Sequence, residues 1–114
     1  MQGKIGLEEH FAIPETLMDS KGFLPDRVWD ELQARLLDMG AKRLGYMDAH
    51  GVERMIVSLN APAIQAIHDP KRAIETARRA NDALAEAVAR HPKRFSGLAA
   101  LPLQDPQAAI AELE

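Results

Sequence analysis

Two aspartate-proline pairs, Asp69-Pro70 and Asp105-Pro106, each follow a short apolar run and each open a helix-spaced pattern. An aspartate accepts hydrogen bonds from the free N–H groups of a helix start, and proline's fixed φ suits the first helical position. A chain that passes repeatedly from apolar run to capped helix alternates strands and helices. Such alternation brings parallel strands together through right-handed crossovers. The expected class is therefore α/β, and in that class functional groups gather at the C-terminal ends of the strands.

The strands are read from their patterning. Lys4-Ile5-Gly6-Leu7-Glu8-Glu9-His10 alternates Ile5 with Leu7, as a strand does. Strict alternation would send Gly6, Glu8 and His10 to one face and Ile5, Leu7 and Glu9 to the other. Glu53 to Leu59 contains the continuous run Met55-Ile56-Val57, the mark of a strand covered on both faces. Arg94 to Leu101 is the third, and its small residues Gly97, Ala99 and Ala100 predict close packing of another element. The predicted strand ends are thus Glu8/His10, Ser58/Asn60 and Leu101/Pro102.

Between them lie the helices. Asp26 reads as an N-cap, followed by Val28, Trp29, Leu32, Leu36 and Met39 at helical spacing, with Gly40 in the C′ position. Ala41 to His50 is a second helix, with Leu44, Tyr46 and Met47 as its apolar side and Gly51 as its stop. Asp69-Pro70 opens a helix to about Arg90, with Ile74, Ala77, Asn81, Leu84 and Val88 as a buried stripe and Arg78, Arg79 and Glu86 solvated. Gln107 to Glu114 is the last. His50, His68 and His91 stand at helix ends or turns. Phe11 to Pro25, broken by Pro14, Gly22 and Pro25, is long for a connection in a compact domain. It reads either as a binding loop or lid, or as a short helix over Glu15 to Asp19.

Glu8 and His10 are the residues with chemistry. A carboxylate and an imidazole at a strand end offer oxygen and nitrogen donors that suit a divalent metal. From spacing alone the pair reads more readily as a polar strand end meeting solvent. With no cysteine in 114 residues, thiolate sites and disulfides are excluded, and any metal must be held by Asp, Glu or His. Hydrophobic residues at 46% and charged residues at 27% describe a globular, soluble chain. The net charge of −3, with both signs interspersed, gives no basic surface for nucleic acid. No signal peptide or membrane span is recognisable, so the expected location is cytoplasmic.

Several segments together resemble the metal-dependent aromatic-acid decarboxylases of the amidohydrolase superfamily. They are Gly6-Leu7-Glu8-Glu9-His10-Phe11-Ala12-Ile13-Pro14-Glu15, Met47-Asp48-Ala49-His50-Gly51-Val52-Glu53, Ser58-Leu59-Asn60-Ala61-Pro62, Arg78-Arg79-Ala80-Asn81-Asp82, and Ala99-Ala100-Leu101-Pro102-Leu103-Gln104-Asp105-Pro106. The resemblance implies a (β/α)₈ TIM-like barrel, of which residues 1–114 would supply the first three βα units as a single partial domain. It implies one divalent metal, Mn2+ or Zn2+, with Glu8 and His10 in the positions of the first two ligands. It implies that Phe23 and Ala63 line an aromatic pocket; Ser58 and Asn60 could face the same pocket or simply hydrogen-bond at their strand end. The reaction implied is non-oxidative decarboxylation of a hydroxybenzoate, without redox or organic cofactor, in a homotetramer. The family's proton-donating aspartate falls beyond Glu114, so no catalytic residue is assigned in this segment. The chain alone is expected to be inactive. Two other readings compete: a hydrolase of the same superfamily acting on a lactone, ester or amide, against which Glu8 in place of the hydrolases' first histidine argues, and a non-catalytic α/β piece that pairs with another chain.

Overall fold

The structure is a computed structural model that describes residues 2–114. Its elements run β1 (Lys4–Phe11), α1 (Asp26–Leu37), α2 (Ala41–Ala49), β2 (Val52–Leu59), α3 (Pro70–Arg90), β3 (Phe95–Gly97) and α4 (Pro106–Leu113). Short 3-10 helices at Leu17–Phe23 and Ala63–Ala66 follow β1 and β2. The three strands form one parallel sheet in the order β1-β2-β3, as the alternation predicts.

One face of the sheet carries the core. Phe11, Val57 and Phe95 meet Met47 of α2 and Ala80 and Leu84 of α3 there, with Ile13 at the edge. Phe95, Met47 and Val57 are essentially fully buried, each contributing about 1.5–3 kcal/mol of hydrophobic stabilisation. Arg54, Ile56, Ser58 and Ser96, on the opposite face by register, belong to neither core cluster. Ile5, on that face opposite Arg54, is 57% exposed.

Both Asp-Pro signatures work as expected. The Asp69 carboxylate accepts from the Lys71 N–H at 3.2 Å, and that of Asp105 accepts from the Ala108 N–H at 3.0 Å. Gly51, at φ 68°, closes α2 in the left-handed region that glycine enters without penalty. The start of α1 differs. Pro25 takes the cap position and Asp26 is already helical, with no side-chain capping bond. Its charge still suits the positive end of the helix dipole. The helix ends at Leu37, short of Met39, because Asp38 is extended and its carboxylate accepts from the Gly40 N–H at 2.7 Å. Gly40, at φ −128°, is the residue before α2 and not a left-handed stop.

The stripe on α3 also shifts. Ala73, Thr76, Ala77, Ala80, Leu84 and Ala87 are buried, while Ile74, Asn81 and Val88 are half-buried at its margin. Alanines dominate because the helix lies close on the sheet. A Cβ on Gly97 would fall 2.7 Å from Leu84 Cδ2 and 2.9 Å from Leu84 Cγ, so the close approach predicted from small residues is present there.

β3 is shorter than Arg94 to Leu101. Beyond the Leu98 N–H, which still donates to the Val57 carbonyl at 2.9 Å, the chain leaves the ladder and is captured by α3: Asn81 Oδ1 accepts from the Ala100 N–H at 2.8 Å, and Asn81 Nδ2 donates to the Ala100 carbonyl at 2.9 Å. That side chain replaces the partner strand for the Ala100 peptide.

Gly97→Ala should destabilise the chain by about 1–3 kcal/mol through overpacking against Leu84, seen as a lower urea midpoint at unchanged m-value. The double variant G97A/L84A should lose less than the sum of the two single changes, because each relieves the other. Simple additivity would contradict the packing described.

Candidate metal centre

The position of Glu8 and His10 depends on an irregularity in β1. Gly6 pairs with Met55 and Glu9 with Val57, so two residues, Leu7 and Glu8, oppose the single Ile56. This is a β-bulge, which adds one residue to one strand of a pair. It corrects the strict alternation expected above. Gly6 does not share a face with Glu8 and His10. It shares one with Glu9, whose Oε1 lies 2.9 Å from where a Gly6 Cβ would stand.

The consequence is a change of phase. Met55 packs against the core cluster, so uninterrupted alternation from Gly6 would have carried Glu8 and His10 to the helix side. The extra residue reverses the remainder of the strand, since a one-residue slip moves every side chain to the other face. From the bulge onward, Glu8 is exposed, Glu9 half-buried, His10 exposed and Phe11 buried. Glu8 and His10 therefore stand together on the face opposite the core, at the C-terminal end of β1.

His10 is held in two places. Its register partner is Ser58, and His10 Nδ1 lies 3.1 Å from Ser58 Oγ. Its carbonyl accepts from Arg43 Nη2 at 2.8 Å. The same guanidinium donates to the carbonyls of Arg35 and Asp38, each at 2.8 Å. Burial pushes Arg43 below the usual arginine range, against the opposing pull of Glu9 and Asp38. Five fixed donors make arginine suited to tying three carbonyls from different segments. Nothing in the sequence marks Arg43; by position it passes for a solvated residue of α2.

The other expected site residues are placed differently from one another. Ser58 is on the same face as Glu8 and His10, beside the imidazole. Asn60 is 2% exposed and its amide is fully engaged. Asn60 Oδ1 accepts from Thr16 Oγ1, and Asn60 Nδ2 donates to the Thr16 carbonyl and to Ser20 Oγ, all at 2.8 Å. Asn60 is thus a clamp between the end of β2 and the segment after β1, with no free polar atom to offer a ligand. Thr16, 1% exposed, is its unforeseen partner. The clamped segment contains the 3-10 helix Leu17–Phe23, so the short-helix reading of this stretch is nearer, displaced from Glu15–Asp19. Phe23, at its end, is 72% exposed. Ala63 is 3% exposed and adopts φ 39°, an unusual backbone for a residue with a Cβ.

Glu8 and His10 offer one carboxylate and one imidazole to a divalent ion, a donor set that fits it. Among the described residues no group of three or more His, Asp or Glu converges to complete a metal site. A usual site needs three or four protein donors, so two donors do not make a site by themselves.

A parallel α/β sheet with its polar pair at the C-terminal mouth defines the class, and the amidohydrolase family model matches residues 13–114. The chain belongs to the amidohydrolase family. Within that family it is similar to the gamma-resorcylate decarboxylase of Rhizobium radiobacter, 68% identical over 114 residues, which are all of this chain and 35% of the relative. The gamma-resorcylate decarboxylase of Rhodococcus jostii is 68% identical over 113 residues, 99% of this chain and 34% of its own length. A 2,6-dihydroxybenzoate decarboxylase crystallised with 2,6-dihydroxybenzoate superposes with TM-score 0.94 at 67% identity, over 99% of this chain and 35% of that one. A dihydroxybenzoic acid decarboxylase from a Polaromonas species, with bound manganese and 2-nitroresorcinol, gives TM-score 0.94 at 66% identity, over 100% of this chain and 34% of that one. The chain spans about a third of the length of these relatives. Among the described residues no helix is long and apolar enough to cross a membrane.

Asn60→Ala should strip the Thr16 and Ser20 groups of their partner and cost about 1–3 kcal/mol. Hydrogen exchange should rise across Thr16 to Phe23 with the sheet still protected. Unchanged protection in that segment would show that Asn60 does not hold it.

Proposed function

We propose that this chain contributes the first two metal ligands, Glu8 and His10, to an enzyme that decarboxylates a hydroxybenzoate, with gamma-resorcylate giving resorcinol and carbon dioxide. The single observation that carries the reading is the Glu8-x-His10 pair placed on one face at the mouth of β1. It is supported by 66–68% identity over nearly the whole chain to enzymes named for that activity.

The metal in this reading is one divalent ion, manganese or zinc; manganese is bound in the Polaromonas relative. When bound, such an ion orients the substrate's carboxylate and adjacent phenolate and stabilises the phenolate charge. Glu8 provides an anionic oxygen, which lowers the net charge of the site. His10 provides a neutral nitrogen. Phe23 offers an exposed ring for stacking against an aromatic substrate, and Ala63 offers a small side chain that leaves room beside the end of β2. Asn60 acts through the loop it clamps. Further metal donors and the acid that delivers a proton to the ring carbon come from outside these 114 residues. The working form is proposed to be a cytoplasmic homo-oligomer with an aromatic carboxylate as its ligand.

The test is a chimera in which this chain replaces the matching third of the Polaromonas decarboxylase. It should release carbon dioxide from 2,6-dihydroxybenzoate and lose that activity on chelation. Glu8→Ala or His10→Ala should lower turnover at least about a hundredfold, the loss expected when a group needed for the metal is removed. A folded chimera whose turnover survives chelation, or survives both substitutions, would overturn the proposal.

A further inference from the structure

We propose that Ser58 is the positioning residue that selects the tautomer of His10, leaving Nε2 as the nitrogen that faces the cation. This rests on the reading of Glu8 and His10 as metal ligands and adds to it which nitrogen binds and what holds the ring.

The observations are three. His10 and Ser58 are register partners on adjacent parallel strands, so their side chains rise side by side from the same face. His10 Nδ1 lies 3.1 Å from Ser58 Oγ, within hydrogen-bond range. The His10 backbone is tethered independently, its carbonyl accepting from Arg43 Nη2 at 2.8 Å, so the ring pivots about a fixed Cα.

A neutral imidazole carries one N–H and one lone pair on its two nitrogens. A metal takes the lone pair. With Nδ1 beside Ser58 Oγ, Nε2 is the nitrogen left for the cation; a cation on the Nε2 lone pair requires the proton on Nδ1, which then donates to Ser58 Oγ. The hydroxyl keeps its own hydrogen and serves here as acceptor. Ligating histidines generally have their second nitrogen held in this way, which fixes the tautomer and raises ligand basicity. The bulge in β1 makes the pairing possible. Uninterrupted stepping from Gly6 opposite Met55 would have set His10 opposite Leu59, which has no group to accept the proton.

The experiment uses the full chain and two readouts. The first needs no metal: long-range 15N–1H correlations of the imidazoles should show His10 protonated on Nδ1 in the wild type. In Ser58→Ala, the Nε2–H form should grow at its expense, as it dominates in free histidine, and Ser58→Thr should restore the Nδ1–H form. The second is Zn2+ affinity by chelator competition. Ser58→Ala should weaken it by about 10–100-fold, with Ser58→Thr restoring most of it, against Glu8→Ala and His10→Ala as references. A His10 ring that carries its proton on Nε2 in the wild type overturns the inference. So does wild-type Zn2+ affinity in Ser58→Ala when His10→Ala has lost the metal, and in that case the metal reading survives. Wild-type affinity in both Glu8→Ala and His10→Ala removes the metal reading and this inference with it.

Discussion

One extra residue in β1 decides what the sheet can do. Leu7 and Glu8 share the space opposite Ile56, and from that point the strand runs in opposite phase. Phe11 turns to the core and His10 to the opposite face. Without the slip, a buried phenylalanine and an imidazole would exchange environments. Desolvating His10 among apolar side chains and exposing Phe11 would each cost free energy. The same bulge therefore serves packing and chemistry together. Bulges recur where a side chain must be re-aimed next to a site, and here the re-aimed side chains are the two metal-capable ones.

The mouth of the sheet is held by polar side chains that reach between segments. Arg43 gathers the ends of β1 and α1, Asn60 ties the end of β2 to the loop after β1, and Asn81 docks the chain leaving β3 onto α3. Arg43 and Asn81 satisfy backbone groups outside the strand and helix ladders, and Asn60 adds a second bond to the Thr16 carbonyl, which also accepts from the Asp19 N–H. Apolar packing fixes the layers, but these bonds fix where the loops leave them. In an α/β protein those exits are where ligands bind. The exposed Glu15–Arg79 ion pair, at 2.8 Å, adds little beside them, since such pairs contribute about 0–1 kcal/mol.

Much of this was legible in the residues. Asp69-Pro70 and Asp105-Pro106 announce two helix starts through chemistry that is local, and the parallel order follows from alternation. Gly97 announces close packing because a Cβ there would press on the Leu84 side chain. The site was legible as a pair, Glu8 and His10, but not as a geometry. A bulge is set by what the neighbouring strand can pair with, so Gly6-Leu7-Glu8 carries no local signal of one. Arg43 and Thr16 were invisible for a related reason: the bonds that tie them to the strand ends, to His10 and to Asn60, span 33 and 44 residues. Asn60 was visible as a polar strand end, yet only the fold shows that its amide is consumed by the loop. The end of α1 was misplaced because Asp38, and not Gly40, carries the turn.

The central proposal is that Glu8 and His10 face a cation together from the side of the sheet opposite the core. Titrating Mn2+ into the isotopically labelled chain and following paramagnetic broadening tests it most directly. The account predicts that resonances of Glu8, His10, Ile56 and Ser58 broaden first, while those of Met47, Leu84 and Phe95 across the sheet stay sharp. Broadening centred on Glu9 and Arg43 on the helix side, or spread evenly over the surface acids, would contradict it.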